Sequence, residues 1–232
     1  MAFSTAVLLP GLDGTGELFR PFVEAAPQGI ETVVVDYPTS EASIEILERR
    51  AREKLATRCI VIAESFSGPI GVRLAADARV QALVLCNSFV SSPACSLLRH
   101  LALAPLFAIP IPRFMLRLLL LGRQASPTLV ENTRRAIRRV PATVIARRVR
   151  QVLQTDERET VRALKKPVLY LRGRSDHLVS ERSWRDLQAV RPDAQIARIE
   201  GPHMLLQVSP HECWEAIVGF TNGIRGGLSA AT

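Results

Sequence analysis

Three side chains in this 232-residue sequence are placed to do nucleophilic chemistry: Ser65, Asp176 and His203. Ser65 lies in Val61-Ile62-Ala63-Glu64-Ser65-Phe66-Ser67-Gly68, where an apolar run gives way at once to a helical pattern. A serine with small residues two before and two after it, at a strand-to-helix junction, has the form of a nucleophile elbow. The turn is so tight that the flanking positions, here Ala63 and Ser67, must be small, and it makes Ser65 project from the strand end. The helix N-terminus beneath it adds free N–H groups and partial positive charge where an oxyanion would form. Ser67 is the poorer nucleophile, because it falls after the tight turn, inside the first helical turn.

A serine hydroxyl is hardly ionised at neutral pH and needs a base. Of the four histidines, His203 follows the last expected strand, in Ile199-Glu200-Gly201-Pro202-His203-Met204-Leu205-Leu206-Gln207. His100, His177 and His211 fall in segments that read as insertion, loop and helix start. The base in turn needs an acid to hold its tautomer. Asp176 supplies one in Gly173-Arg174-Ser175-Asp176-His177-Leu178-Val179-Ser180, again just past an apolar run. An aspartate at such a turn is often only a cap, but Ser180 is better placed to cap the helix that follows. Two amides must also receive the oxyanion. Phe66 N–H, next after the nucleophile, is one; Leu12 N–H, in the glycine-rich Leu8-Leu9-Pro10-Gly11-Leu12-Asp13-Gly14-Thr15-Gly16, is the other. The spacing G-x-x-G-x-G is wrong for a dinucleotide fingerprint.

These residues imply a particular frame. Strands are expected at Thr5–Pro10, Thr32–Asp36, Cys59–Ala63, Ala82–Cys86, Val168–Arg172 and Gln195–Ile199, with helical patterns at 17–26, 41–56, 66–77, 181–190 and 210–220. Apolar strands alternating with helices make a parallel sheet covered on both faces, and the loops at its carboxyl edge then bring Ser65, Asp176 and His203 to one side. The rhythm stops after Cys86 and resumes at Val168, a break too long for a loop. We therefore expect a core of residues 1–89 and 167–232 with a helical cap inserted at 90–166. Within it Leu129, Val130, Ala136, Ile137 and Val140 share one helix face opposite Arg134, Arg135, Arg138 and Arg139. Pro141 ends that helix, and Val144, Ile145, Val149, Val152 and Leu153 form a second apolar stripe.

Composition bounds the function. With 47% hydrophobic and 22% charged residues the chain is an ordinary globular protein, neither disordered nor a disulfide scaffold. Its net charge of +8 would invite a nucleic-acid reading, but the excess is local. Residues 91–155 hold eleven arginines, no lysine and one acid, Glu131, for +10; the other 167 residues carry 19 basic and 21 acidic side chains, for −2. Cys59, Cys86, Cys95 and Cys213, separated by 27, 9 and 118 positions, match neither a zinc site nor a disulfide framework and suit a reducing, cytoplasmic setting. The start of the chain lacks the basic region of a secretory signal, and the apolar stretch 101–112 has three prolines and only 12 residues, too short to span a membrane.

The pieces LLPGLDGTG, AESFSG, LRGRSDHLV and GPHMLLQ together resemble the α/β-hydrolase family across nearly the whole chain, from Leu8 to Phe220. Two departures stand out: Pro10-Gly11 replaces the usual His-Gly of the oxyanion loop, and the family's first two strands have no counterpart, which leaves six parallel strands. The resemblance implies acyl transfer to water through a serine ester, with no metal or organic cofactor. Ser65 attacks, His203 shuttles the proton, Asp176 orients it, and Phe66 and Leu12 hold the oxyanion. Fold alone does not set the reaction. Three readings stand: a carboxylic ester hydrolase on a small acyl ester bound beneath an apolar cap; a thioesterase or methyl esterase on an acidic acyl carrier protein docked at the cap arginines; and a non-catalytic binder of an anionic surface.

Overall fold

The computed structural model describes residues 3–93, 109 and 111–229. Six strands form one sheet: β1 (Thr5–Leu9), β2 (Glu31–Val34), β3 (Cys59–Glu64), β4 (Val80–Cys86), β5 (Val168–Gly173) and β6 (Gln195–Ile199). Their spatial order is β2-β1-β3-β4-β5-β6, and every pairing is parallel. The expected six-stranded parallel sheet is therefore the one observed. Strands β1, β3 and β5 are buried at every position, while β2 and β6 are partly exposed, as edges must be.

Side chains alternate between the two faces of each strand. Val7, Leu9, Val61, Ala63, Leu83 and Tyr170 pack with Leu47 of α2 (Ile44–Glu53), Ile70 of α3 (Gly68–Leu74) and other residues on one face. Ala6, Leu8, Ile60, Ile62, Val84 and Leu171 pack on the other against Phe22 of α1 (Arg20–Glu24), and there the Phe22 and Trp214 rings stack 4.4 Å apart. The strand order reverses between β1 and β3, so the connections leaving these two neighbours diverge. In open α/β sheets, ligands bind at the carboxyl ends of the strands at such a reversal.

Between β4 and β5 the chain forms α4 (Arg113–Leu116), a π-helical turn (Arg117–Leu121), α5 (Pro127–Arg139), α6 (Ala142–Gln154) and α7 (Arg158–Ala163). Ser126 caps α5, its hydroxyl accepting the Leu129 amide at 3.1 Å. The chain turns at Val140-Pro141, because proline cannot continue the helix. The apolar face of α5 packs with Leu18 and Met204 of the sheet domain, while Val144 and Ile145 of α6 pack with Ala42 and Leu12. The inserted helices thus rest on the loops at the carboxyl edge of the sheet. After β5 come α8 (Glu181–Val190), the short α9 (Leu205–Val208) and α10 (Pro210–Ser229). No helix among the described residues is long and apolar enough to cross a membrane.

Candidate active site

The elbow follows from the end of β3. Ser65 has φ of +48°, a left-handed conformation that costs a non-glycine residue on the order of 1–3 kcal/mol, and it opens a short 3-10 turn, Ser65–Ser67, leading into α3. The strain is held from below: Ser88 Oγ donates to the Ser65 carbonyl at 2.6 Å, and Tyr170 Oη donates to the Ser88 carbonyl at 2.6 Å. The structure brings the three sequence-selected side chains into line. Ser65 Oγ lies 2.9 Å from His203 Nε2, and His203 Nδ1 lies 3.0 and 3.1 Å from the two carboxylate oxygens of Asp176. Because the Asp176 carboxylate accepts at Nδ1, the ring carries its proton there and Nε2 is free to accept from the serine hydroxyl. His203 is 5% and Asp176 8% exposed, which keeps water from competing for these bonds.

Asp176 Oδ1 also accepts the Leu178 and Val179 amides at 2.8 and 3.1 Å, so the aspartate shapes its own turn as well as facing the histidine. The expected helix cap at Ser180 is corrected here. Ser180 occupies the N-cap position of α8, but its side chain makes no capping bond.

The glycine-rich loop after β1 lies beside the elbow: a methyl group built on Gly11 would stand 4.0 Å from Ser65 Cβ. Three ties hold the loop. Ser67 Oγ donates to the Pro10 carbonyl and bonds Tyr37 Oη at 2.8 Å; Arg148 Nη1 donates to the Leu12 carbonyl at 2.8 Å; and the Tyr37 amide donates to the Gly14 carbonyl at 2.7 Å. Gly14, with φ of +72°, has no room for a side chain, since a Cβ would come within 2.6 Å of Arg148 Nη1. Leu12 N–H has no acceptor among the described residues.

Two residues that sequence reasoning missed organise this edge. Asn87, buried and with φ of +43°, donates from Nδ2 to the Pro202 and His203 carbonyls at 3.0 and 2.8 Å and accepts the Gly173 amide at 2.8 Å. It joins the histidine loop to the end of β5. Gly173 must be glycine there, because a Cβ would lie 2.5 Å from the Pro202 carbonyl oxygen. Glu64 is the second. Burial pushes its carboxyl up to about 8, helped by Asp13 and opposed by the bond that Gln207 Nε2 donates to it at 3.1 Å. Glu64 Oε1 and Gln207 Oε1 are both buried without partners. A proton on Glu64 supplies a donor where there are otherwise two unpaired acceptors.

The arginines of α5 do not form one free basic face among the described residues. Arg134 is half-buried and pairs with Glu131 at 3.6 Å, Arg135 donates to Asn132 at 2.6 Å, and Arg139 pairs with Glu17 of the sheet domain, whereas Arg138 is exposed without a partner among the described residues. A groove of about 430 Å³ lined by Arg113, Arg117, Pro127, Thr128, Val130 and Glu131 includes none of Ser65, Asp176 or His203. Of the apolar stretch 101–112, which belongs to the apolar cap expected above an acyl ester, most lies outside the described residues. Among those residues no group of three or more His, Cys, Asp or Glu side chains converges as a metal site would require.

Residues 6–216 match the alpha/beta hydrolase family. The chain belongs to that family. Solved alpha/beta hydrolase neighbours share the fold at low identity. A hydrolase from Oleispira antarctica is 14% identical with a TM-score of 0.75, covering 94% of this chain and 91% of its own. A bromoperoxidase from Bacillus anthracis is 16% identical at 0.79, covering 95% and 92%. An enol-lactonase from Burkholderia xenovorans LB400 is 19% identical at 0.71, covering 98% and 92%. No curated protein matches the sequence significantly.

Proposed function

We propose that this alpha/beta hydrolase is a serine-dependent carboxylic ester hydrolase, with residues 90–166 as a cap over its site. The observation that carries the reading is the hydrogen-bonded line Ser65–His203–Asp176 on a strained elbow at the carboxyl edge of the sheet. His203 Nε2 takes the Ser65 proton as Oγ attacks the acyl carbon, and Asp176 stabilises the imidazolium that forms. The tetrahedral oxyanion is received by Phe66 N–H and Leu12 N–H. His203 then gives its proton to the leaving alcohol, and water, activated by the same ring, releases the acid from the Ser65 ester.

A fluorophosphonate probe should label the wild-type protein stoichiometrically and leave Ser65→Ala unlabelled. An unlabelled wild type, or a labelled and active Ser65→Ala, overturns the reading. The acyl-carrier reading retains Arg138, which is exposed and unpartnered among the described residues, as the side chain most open to an acidic partner. It predicts that Arg138→Gln weakens turnover of a carrier-bound thioester at low salt while sparing small esters.

A further inference from the structure

Of the arginines described in the inserted segment, Arg148 of α6 is the one that is fully buried. It reaches out of the insertion into the sheet domain and donates four hydrogen bonds, all to backbone carbonyls. Nη1 donates to Leu12 at 2.8 Å, Nη2 to Pro38 at 2.9 Å and to Glu41 at 2.8 Å, and Nε to Glu41 at 3.0 Å. Its Cζ lies 5.8 Å from the centre of the Phe66 ring, within cation–π range, and the Tyr37 ring meets Phe66 edge-on at 6.3 Å. No carboxylate pairs with it among the described residues; fixed carbonyl dipoles stand in for water around the charge. Such an arrangement is satisfied only while the three carbonyls keep their positions, so the guanidinium and the loops hold each other in place.

The two residues that this one side chain touches in the site, Leu12 and Phe66, are those whose amides the proposed mechanism assigns to the oxyanion. They lie on separate elements, one in the loop after β1 and the other in the turn after β3. Burial of Arg148 against both joins them through a third element, the inserted helix α6. Gly14 leaves the space through which Nη1 approaches. A guanidinium on a solvent-facing helix has no need of such a vacancy.

We propose that Arg148 is a positioning residue for acyl transfer: reaching down from the inserted segment, it clamps the Leu12 carbonyl and backs the Phe66 ring, and so holds both oxyanion donors in register with Ser65. The inserted helices are then part of the catalytic apparatus and not only a roof over it. The inference rests on the serine-hydrolase reading above.

The test compares Arg148→Met and Arg148→Lys with wild type on a short-chain p-nitrophenyl ester, and on a trifluoromethyl ketone whose adduct with Ser65 places an oxyanion in the hole. Rates are normalised to the fraction of protein labelled at the end point by a fluorophosphonate, which counts folded, competent sites. We expect kcat to fall about 10- to 100-fold with KM within about twofold, since small misplacements of a catalytic group carry penalties of that size. The ketone should weaken by the same factor as kcat/KM. Lysine, which keeps the charge but cannot span three carbonyls, should fall between wild type and methionine. A folded Arg148→Met or Arg148→Lys with wild-type kcat overturns the inference, as does a change confined to KM. Should the methionine variant not fold, the lysine variant decides on the same readouts. If Ser65→Ala is inactive while the Arg148 variants keep kcat, only the positioning role fails; if Ser65→Ala turns over, the underlying reading fails instead.

Discussion

The carboxyl edge of the sheet and the outer face of α5 both concentrate polar side chains, and they hold them in opposite ways. At the edge, Asn87, Arg148, Asp176 and His203 are buried, and each meets fixed backbone or side-chain partners at hydrogen-bonding distance. On α5, Arg135, Arg138 and Arg139 are exposed; Arg135 and Arg139 meet Asn132 and Glu17, and Arg138 has no partner among the described residues. Surface ion pairs contribute about 0–1 kcal/mol, whereas a buried group deprived of its partner costs about 1–3 kcal/mol. Polar residues of similar type therefore specify geometry in one place and little more than solvation in the other.

The sharpest way to break this contrast is at the line itself. Ser65→Ala and His203→Ala should each lower kcat on a small ester by about 10⁴- to 10⁶-fold, and Asp176→Asn by about 10⁴-fold, measured against enzyme of matched purity. Retention of activity in His203→Ala would mean that the buried edge is structural only. Next in size, Asn87→Ala removes three buried hydrogen bonds that join the histidine loop to β5. It should destabilise the fold by about 2–4 kcal/mol in urea titrations and depress kcat more than KM.

Glu64 sharpens the comparison through pH. Its folded carboxyl titrates at about 8 against an ordinary value of 4.5, so between those values the native state binds more protons than the unfolded chain. Stability should accordingly fall as pH rises through this window, and Glu64→Gln should flatten that part of the curve of urea midpoint against pH. A wild type whose stability rises across the same window would contradict a buried neutral Glu64. The smallest effect belongs to the solvated face: Arg135→Gln with Arg138→Gln should leave the melting transition within about 0.5 kcal/mol and small-ester kcat unchanged. A large loss there would erase the distinction between the two regions.

Ser65, Asp176 and His203 were legible because each lies just past an expected strand, and parallel strands deliver their carboxyl ends to one edge. Asn87 follows Cys86 in the same way, as Asn87-Ser88 at the end of β4, and that polar pair was the available signal. Arg148 was counted with the basic excess, although its position four residues after Val144 and four before Val152 puts it in the apolar stripe of its own helix. Charge counting concealed what periodicity would have revealed. The near-absence of a free basic face on α5 was not legible, since the pairing of Arg139 with Glu17 joins residues 122 positions apart.

By itself the sequence determined the alternation of strands and helices, the long interruption after the fourth strand and the polar residues at the strand ends, because periodicity and steric size are local properties. Only the tertiary structure decided which polar groups lose water and what replaces it. The fate of a charge depends on partners brought together from distant parts of the chain, and for this reason Arg148 and Arg138, ten residues apart, ended in opposite environments.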